Sequence, residues 1–166
     1  LDLSQSEAGL LPIRKERIDV LDFLTTLVRE REQAIIAAAL SLDLKGRRGR
    51  IIVADPRQMG RAIGNLIDNA VAGTPEGGRI VIEIRKAPEG TSDWAIEICI
   101  ADNGRGMSSQ ELARAHGGLK PGGEGTPERR SGLGIPLARQ LVAAHEGTLE
   151  IVSRKGAGTT AIIRLP

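Results

Sequence analysis

Apolar residues recur every third or fourth position after Asp19, so Leu21, Leu24, Leu27, Val28 and Ile35 share one face of a helix predicted over residues 19–39, with Asp19 as its cap. The period returns after Asp55-Pro56, a capping carboxylate followed by proline at the first helical position. There Met59, Ile63, Leu66, Ile67 and Ala70 form a stripe on a helix that should end near Ala72. Elsewhere the period is two. Residues 80–84 and 95–101 alternate as paired strands, 40–44 and 51–54 read as strands around the polar loop 45–50, and 149–152 with 159–165 form a terminal hairpin. Ser108 starts a short helix, residues 116–130 (five glycines, two prolines) are expected to be a mobile loop, and 132–145 is helical, closed by Gly147. Residues 1–9 read as the last turns of a helix stopped by Gly9, and 10–18 as an extended connector. The sum predicts a single mixed sheet with helices on one face, a two-layer α/β sandwich.

At 166 residues, 40% of them hydrophobic, the chain is long enough for one domain with a buried core. That core must be aliphatic, because Phe23 and Trp94 are the only aromatic residues. The same shortage removes the rings on which single-stranded nucleic acid stacks, and the net charge of +2 is spread along the chain, so no nucleic-acid partner is expected. Cys99, the single cysteine, lies in an apolar alternating run and reads as a small core residue in a reducing compartment. No apolar stretch approaches the roughly 20 residues that cross a bilayer and no signal peptide opens the chain, so a cytoplasmic, soluble domain is expected. The first residue is leucine; a fragment is expected, from a protein that is soluble or membrane-anchored as a whole.

Three short segments carry the candidate chemistry. Arg61, Asn65 and Asn69, spaced by four, share one helix ridge away from the apolar stripe. An amide oxygen is a hard ligand suited to Mg2+, and an amide donates to phosphate oxygens. Asparagine is a mediocre helix former, so two at this spacing either serve such a site or lie on a solvated face. Asp102-Asn-Gly-Arg-Gly-Met107 sets a carboxylate ahead of Gly104 and Gly106, where backbone can pass close to a ligand. The carboxylate can accept from the exocyclic amine of adenine, which guanine lacks at that position, although Asp-Asn-Gly is also an ordinary tight bend. Ser131-Gly-Leu-Gly-Ile135 opens a helix whose exposed amides attract phosphate. In this order and spacing the three describe a site for a magnesium nucleotide.

The chain resembles, over nearly its whole length, the catalytic ATP-binding domain of sensor histidine kinases, within the wider group of gyrase-, chaperone- and mismatch-repair-type ATPases. Asn65-Leu-Ile-Asp-Asn69-Ala is similar to the family's asparagine box, residues 102–106 to its first glycine box and 131–135 to its second. Residues 1–9 are similar to the end of its dimerisation helix. The resemblance implies a Bergerat-type fold over 19–166, after the helix end at 1–9 and the connector at 10–18, with an ATP lid at about 108–130. It implies ATP and Mg2+ as cofactors: Asn69 on the metal, Asn65 beside it at the triphosphate, and Asp102 selecting adenine. Gly104 and Gly106 shape the pocket, Ser131, Gly132, Leu133 and Gly134 border the phosphates, and Arg61 and Met107 join the binding set. Thr159 matches a threonine that supports the adenine-binding carboxylate. Hydrolytic relatives carry a glutamate where this chain has Asn65; an amide cannot activate water, which favours γ-phosphate transfer to a protein histidine.

The implied partners are a phosphoacceptor-histidine domain upstream in the same protein and a response regulator or phosphotransfer protein, with the whole protein a homodimer and this fragment a monomer. Ala72 and Gly73 stand where the family has a lysine and then an aromatic or histidine. Residues 112–119 lack the family's phenylalanines, and Arg130 replaces a common glycine. Lys120, Arg129 or Arg130 could restore the missing cation or simply be solvated. These departures motivate one rival, a pseudokinase scaffold that binds nucleotide weakly or not at all and acts through partners. A second rival, an anti-sigma-type serine kinase, shares the pocket, but the leading helix tail argues against it. His116, at the lid's edge, could touch nucleotide, whereas His145 reads as complementing a helix C-terminus. Neither looks like the phosphoacceptor.

Overall fold

The computed structural model describes residues 12–90, 93–116 and 134–166; the helix end expected at 1–9 and most of the expected lid lie outside the described residues. In chain order the elements are β1 (Glu16–Asp19), α1 (Val20–Arg29), α2 (Glu32–Ala37), β2 (Ser41–Lys45), β3 (Ile51–Ala54), α3 (Pro56–Gly73), β4 (Arg79–Lys86), β5 (Ile96–Asp102), α4 (Ser109–His116), α5 (Gly134–Ala143), β6 (Thr148–Ser153) and β7 (Thr159–Leu165).

Alternation drives the expected mixed sheet, in the order β2-β4-β5-β7-β6, with β2 parallel to β4 and the other pairs antiparallel. Its inner face, carrying Ile80, Ile82, Ile98, Ile100 and Ile163, joins the stripe of α3 and Leu141 and Val142 of α5 in one buried core. The outer face is a charge ladder: Arg85 reaches Glu83 (2.6 Å) and Glu97 (3.5 Å), while Arg164 reaches Glu97 (2.9 Å) and Glu150 (3.0 Å). Helices therefore cover one face, and the sandwich has two layers. Cys99 is buried as expected, but beneath this ladder, not among the helix-facing residues. Burial, then its bond to Glu97, push its thiol up to about 11, so it is chemically quiet.

Two expectations need correction. The sheet is not the only one, because β3 leaves it and pairs antiparallel with β1 in a two-stranded ribbon, Glu16 opposite Ala54. The extended connector expected over 10–18 supplies the first strand of this ribbon; Glu16-Arg-Ile-Asp buries only Ile18, too little alternation to register as a strand. The helix expected over 19–39 is also broken. Asp19 caps α1 as predicted, accepting from the N–H groups of Leu21 (3.0 Å) and Asp22 (3.3 Å). Between Val28 and Ile35, however, the sequence offers only Arg29-Glu-Arg-Glu-Gln-Ala, with nothing large to bury, and Arg31 (φ −107°, ψ 4°) separates α1 from α2.

The start of α3 is pinned from both sides. Asp55 accepts the N–H groups of Arg57 (3.0 Å) and Gln58 (3.2 Å) with one oxygen and that of Arg14 (2.8 Å) with the other. Burial pushes its carboxyl up, but these N–H donors outweigh burial and hold it below the ordinary aspartate range. The Asp55 N–H donates to His145 Nε2 at 3.0 Å, and His145 Nδ1 donates to Leu141 O at 2.7 Å. This is the bonding of a neutral, buried imidazole. His145 thus complements the C-terminal end of α5, as expected, and is in addition a strut to the start of α3. His145→Ala leaves the Asp55 N–H unpaired beside a cavity, so stability should fall by about 3 kcal/mol in urea denaturation; a loss below about 1 kcal/mol contradicts the strut.

Candidate functional site

Because Met59, Ile63, Leu66, Ile67 and Ala70 turn inward, the opposite ridge of α3 faces outward: Arg61 is exposed, while Asn65 and Asn69 are half-buried. Gly134, the first residue of α5, lies directly over the asparagines. A Cβ there would sit 3.3 and 3.4 Å from the Asn69 amide nitrogen and oxygen and 3.6 Å from the Asn65 Cβ. Glycine lets the helix start approach this closely. Asn69 Nδ2 is buried and has no hydrogen-bond partner among the described residues. A buried polar group left unpaired costs about 1–3 kcal/mol, so the fold gains nothing from this nitrogen. Asn69 and Gly134 are therefore brought together as the motifs suggested. Ser131, Gly132 and Leu133, with Lys120, Arg129 and Arg130, lie outside the described residues.

Asp102 ends β5. Its Oδ1 accepts the Gly104 N–H at 2.9 Å, and Thr159, directly opposite in the β5–β7 register, supplies a second backbone N–H. Burial outweighs both donors and holds the carboxyl above the ordinary aspartate range. Thr159 thus supports the carboxylate through its backbone; its hydroxyl pairs with Ser153 Oγ at 2.7 Å, which in turn accepts the Met107 N–H at 2.8 Å. Nothing local marks Ser153 for this part, since it is one more polar position at a strand end.

The glycines of this segment lie against backbone. A Cβ on Gly104 would lie 2.2 Å from Gly73 O, and one on Gly106 (φ +64°) 2.0 Å from Arg154 O. They admit neighbouring backbone. The result is a clamp: Arg105 N–H donates to Gly73 O (3.1 Å) at the end of α3, and Gly156 N–H in the β6–β7 turn donates to Arg105 O (2.7 Å). The carboxylate is thereby fixed against the asparagine helix. Asn103, also unremarked in the sequence, continues the β4–β5 ladder by accepting the Arg79 N–H at 2.7 Å.

His116 is occupied too. Arg139 Nη2 donates to its Nδ1 at 3.0 Å, tying the end of α4 to α5. The other end of α4 is closed by a reciprocal cap, with Ser108 N–H donating to Glu111 (2.7 Å) and Glu111 N–H to Ser108 Oγ (3.2 Å). At Gly73, where the resemblance calls for a ring or histidine, a Cβ would meet nothing within 4 Å. The fold therefore makes no use of a side chain at this position.

Comparison with known proteins shows the family and the fold. The family described as "Histidine kinase-, DNA gyrase B-, and HSP90-like ATPase" matches residues 54–166. The chain is 33% identical over 176 residues to the "Non-motile and phage-resistance protein" of Caulobacter vibrioides, with all of this chain and 20% of that protein covered. It is 32% identical over 168 residues to "Histidine protein kinase DivJ" of the same organism, with all of this chain and 27% of that protein covered. It spans about a fifth to a quarter of the length of these relatives. Its fold matches the crystal structure of full-length ShkA in complex with AMPPNP at a TM-score of 0.76 and 19% identity, over 94% of this chain and 32% of that one.

Proposed function

The chain belongs to the histidine kinase-, DNA gyrase B- and HSP90-like ATPase family, and from that premise we propose that it binds Mg·ATP between α3, the end of β5 and the start of α5 and presents the γ-phosphate to a protein histidine. The observation that carries the proposal is the buried, unpaired amide of Asn69 beneath Gly134. Its oxygen would hold the magnesium, and its N–H2 would donate to a phosphate oxygen. When bound, the metal supplies neutralisation of the charge shared between the β- and γ-phosphates. Asn65, one turn earlier, offers a donor but no base, which supports transfer over hydrolysis. Asp102, held by two backbone N–H groups and by no cation among the described residues, is left to accept from the adenine amine. The proposed partners are a phosphoacceptor-histidine domain of the same, dimeric protein and a response regulator or phosphotransfer protein.

Asp102 also yields a prediction with two opposed signs. A carboxyl raised in the folded state stabilises the fold below its unfolded pKa, and that contribution is lost as pH rises through the folded value. At neutral pH the ionised Asp102 therefore costs stability. Asp102→Asn should raise the melting temperature of the nucleotide-free chain at pH 7, and the gain should shrink as pH falls towards the ordinary aspartate range. The same variant should bind Mg·ATP at least about 100-fold more weakly, because an amide N–H2 now faces the adenine amine, donor to donor. Calorimetric titration with Mg·ATP and Mg·GTP is the test. Native chain should bind ATP in the micromolar to sub-millimolar range and GTP more weakly; no binding of either moves the reading to the pseudokinase scaffold.

A further inference from the structure

We infer that Arg31 is a positioning residue of the nucleotide site: its guanidinium, laid over Gly64 and tied to Asp68, sets the rotation of the helix that carries Asn65 and Asn69. The inference rests on the functional reading above. Arg31 sits in the break between α1 and α2, and its side chain is held at both ends. Nε donates to Asp68 Oδ1 at 2.8 Å, and Nη1 donates to Leu27 O at 2.9 Å, a carbonyl of the last turn of α1. Between these anchors the group crosses Gly64, where a Cβ would lie 2.3 Å from Nη2 and 3.2 Å from Cζ.

Gly64 is buried in the interior of the 18-residue α3, a place where glycine weakens a helix relative to alanine. Its backbone is not in the left-handed region that would demand glycine. Passage of the guanidinium is what the missing side chain allows. Gly64 and Asp68 are four apart and so share a ridge, next to the ridge of Asn65 and Asn69. Besides the core packing of its apolar stripe, the outward side of α3 is thus held from two directions, by Arg31 on Gly64 and Asp68 and by Gly134 on the asparagines. With only 19% of its side chain exposed, Arg31 is not an ordinary solvated surface ion.

Rotation matters because a side-chain tip about 5–6 Å from a helix axis moves about 1 Å for a 10° turn. A binding constellation tolerates about 0.5 Å, and a misplacement of about 1 Å costs up to about 100-fold. Losing Arg31 frees α3 on one side only, so the expected weakening is about ten-fold.

The test uses Arg31→Ala, Gly64→Ala, the double variant and the milder Arg31→Lys and Asp68→Asn, which keep the question answerable should the first two fold poorly. Two quantities are read well below each variant's melting temperature: the Asn65 and Asn69 side-chain amide resonances without nucleotide, and the Kd for Mg·ATP. Arg31→Ala and Gly64→Ala should each move both resonances and weaken binding about ten-fold. In the double variant Gly64→Ala should add nothing, since the group it collides with is gone. Arg31→Lys and Asp68→Asn should fall between native and Arg31→Ala. Unmoved amide resonances in Arg31→Ala, or an unchanged Kd beside a lowered melting temperature, overturn the inference and leave Arg31 a purely structural brace. A native chain that binds no Mg·ATP while the resonances move as stated defeats the functional reading instead and leaves the control of α3 standing.

Discussion

Asn69→Ala is expected to abolish measurable Mg·ATP binding, a loss of at least about 100-fold, and to remove phosphoryl transfer with it, while leaving the fold as stable as before or slightly more so. Both halves follow from one geometric fact. The amide lies buried against Gly134 with its nitrogen unpaired, so the fold gains no hydrogen bond from that nitrogen. Alanine is the better helix former by roughly half a kcal/mol, and deleting an unsatisfied buried donor removes a penalty. The ligand loses a hard oxygen on the metal and a donor to phosphate at once. Most buried residues show the opposite pattern, with stability and binding falling together. Calorimetric titration and thermal denaturation of the same sample check the two halves. A destabilised Asn69→Ala that still binds ATP would mean that the residue serves the fold.

The second large effect is on the clamp. Gly106→Ala should cost about 3–5 kcal/mol and take nucleotide binding with it. At φ +64° an L side chain is strained by about 1–2 kcal/mol. The larger part comes from the collision: the new Cβ would meet Arg154 O at 2.0 Å and Gly158 O at 3.0 Å, both backbone. No rotamer relieves that contact, so the β6–β7 turn must move, and with it the Thr159 N–H that supports Asp102. Gly156→Ala is the internal control. Its φ is +81°, but a Cβ there meets nothing within 4 Å, so only the backbone strain applies. Urea denaturation of the pair separates the terms, and equal losses would contradict the clamp.

What could be read from the chain, and what could not, divides along a physical line. Periodicity found α3, the β4–β5 pair and the terminal hairpin because each buries a long regular face. It did not find β1, where Ile18 alone is buried, nor the α1–α2 break, where Arg31 is held by a contact 37 residues away. Motif spacing brought Asn65, Asn69 and Gly134 to one place because helix geometry and a glycine helix start fix those positions locally. The glycines of 104–106 were legible as special, but the backbone that approaches them, from Gly73 and Arg154, was not. Ser153, Asn103 and Arg31 act through tertiary partners, and no local pattern marks them. His145 is the plainest case: its place in the sequence marks a helix-end residue, and only the approach of Asp55 makes it a strut between two helices.

The most direct measurement is a crystal structure of the chain with magnesium and a non-hydrolysable ATP analogue. The account predicts the metal on Asn69 Oδ1, at roughly 2.1 Å, with the adenine amine donating to the Asp102 carboxylate. An analogue seated elsewhere, or an Asp102 carboxylate turned away from the purine, would contradict it.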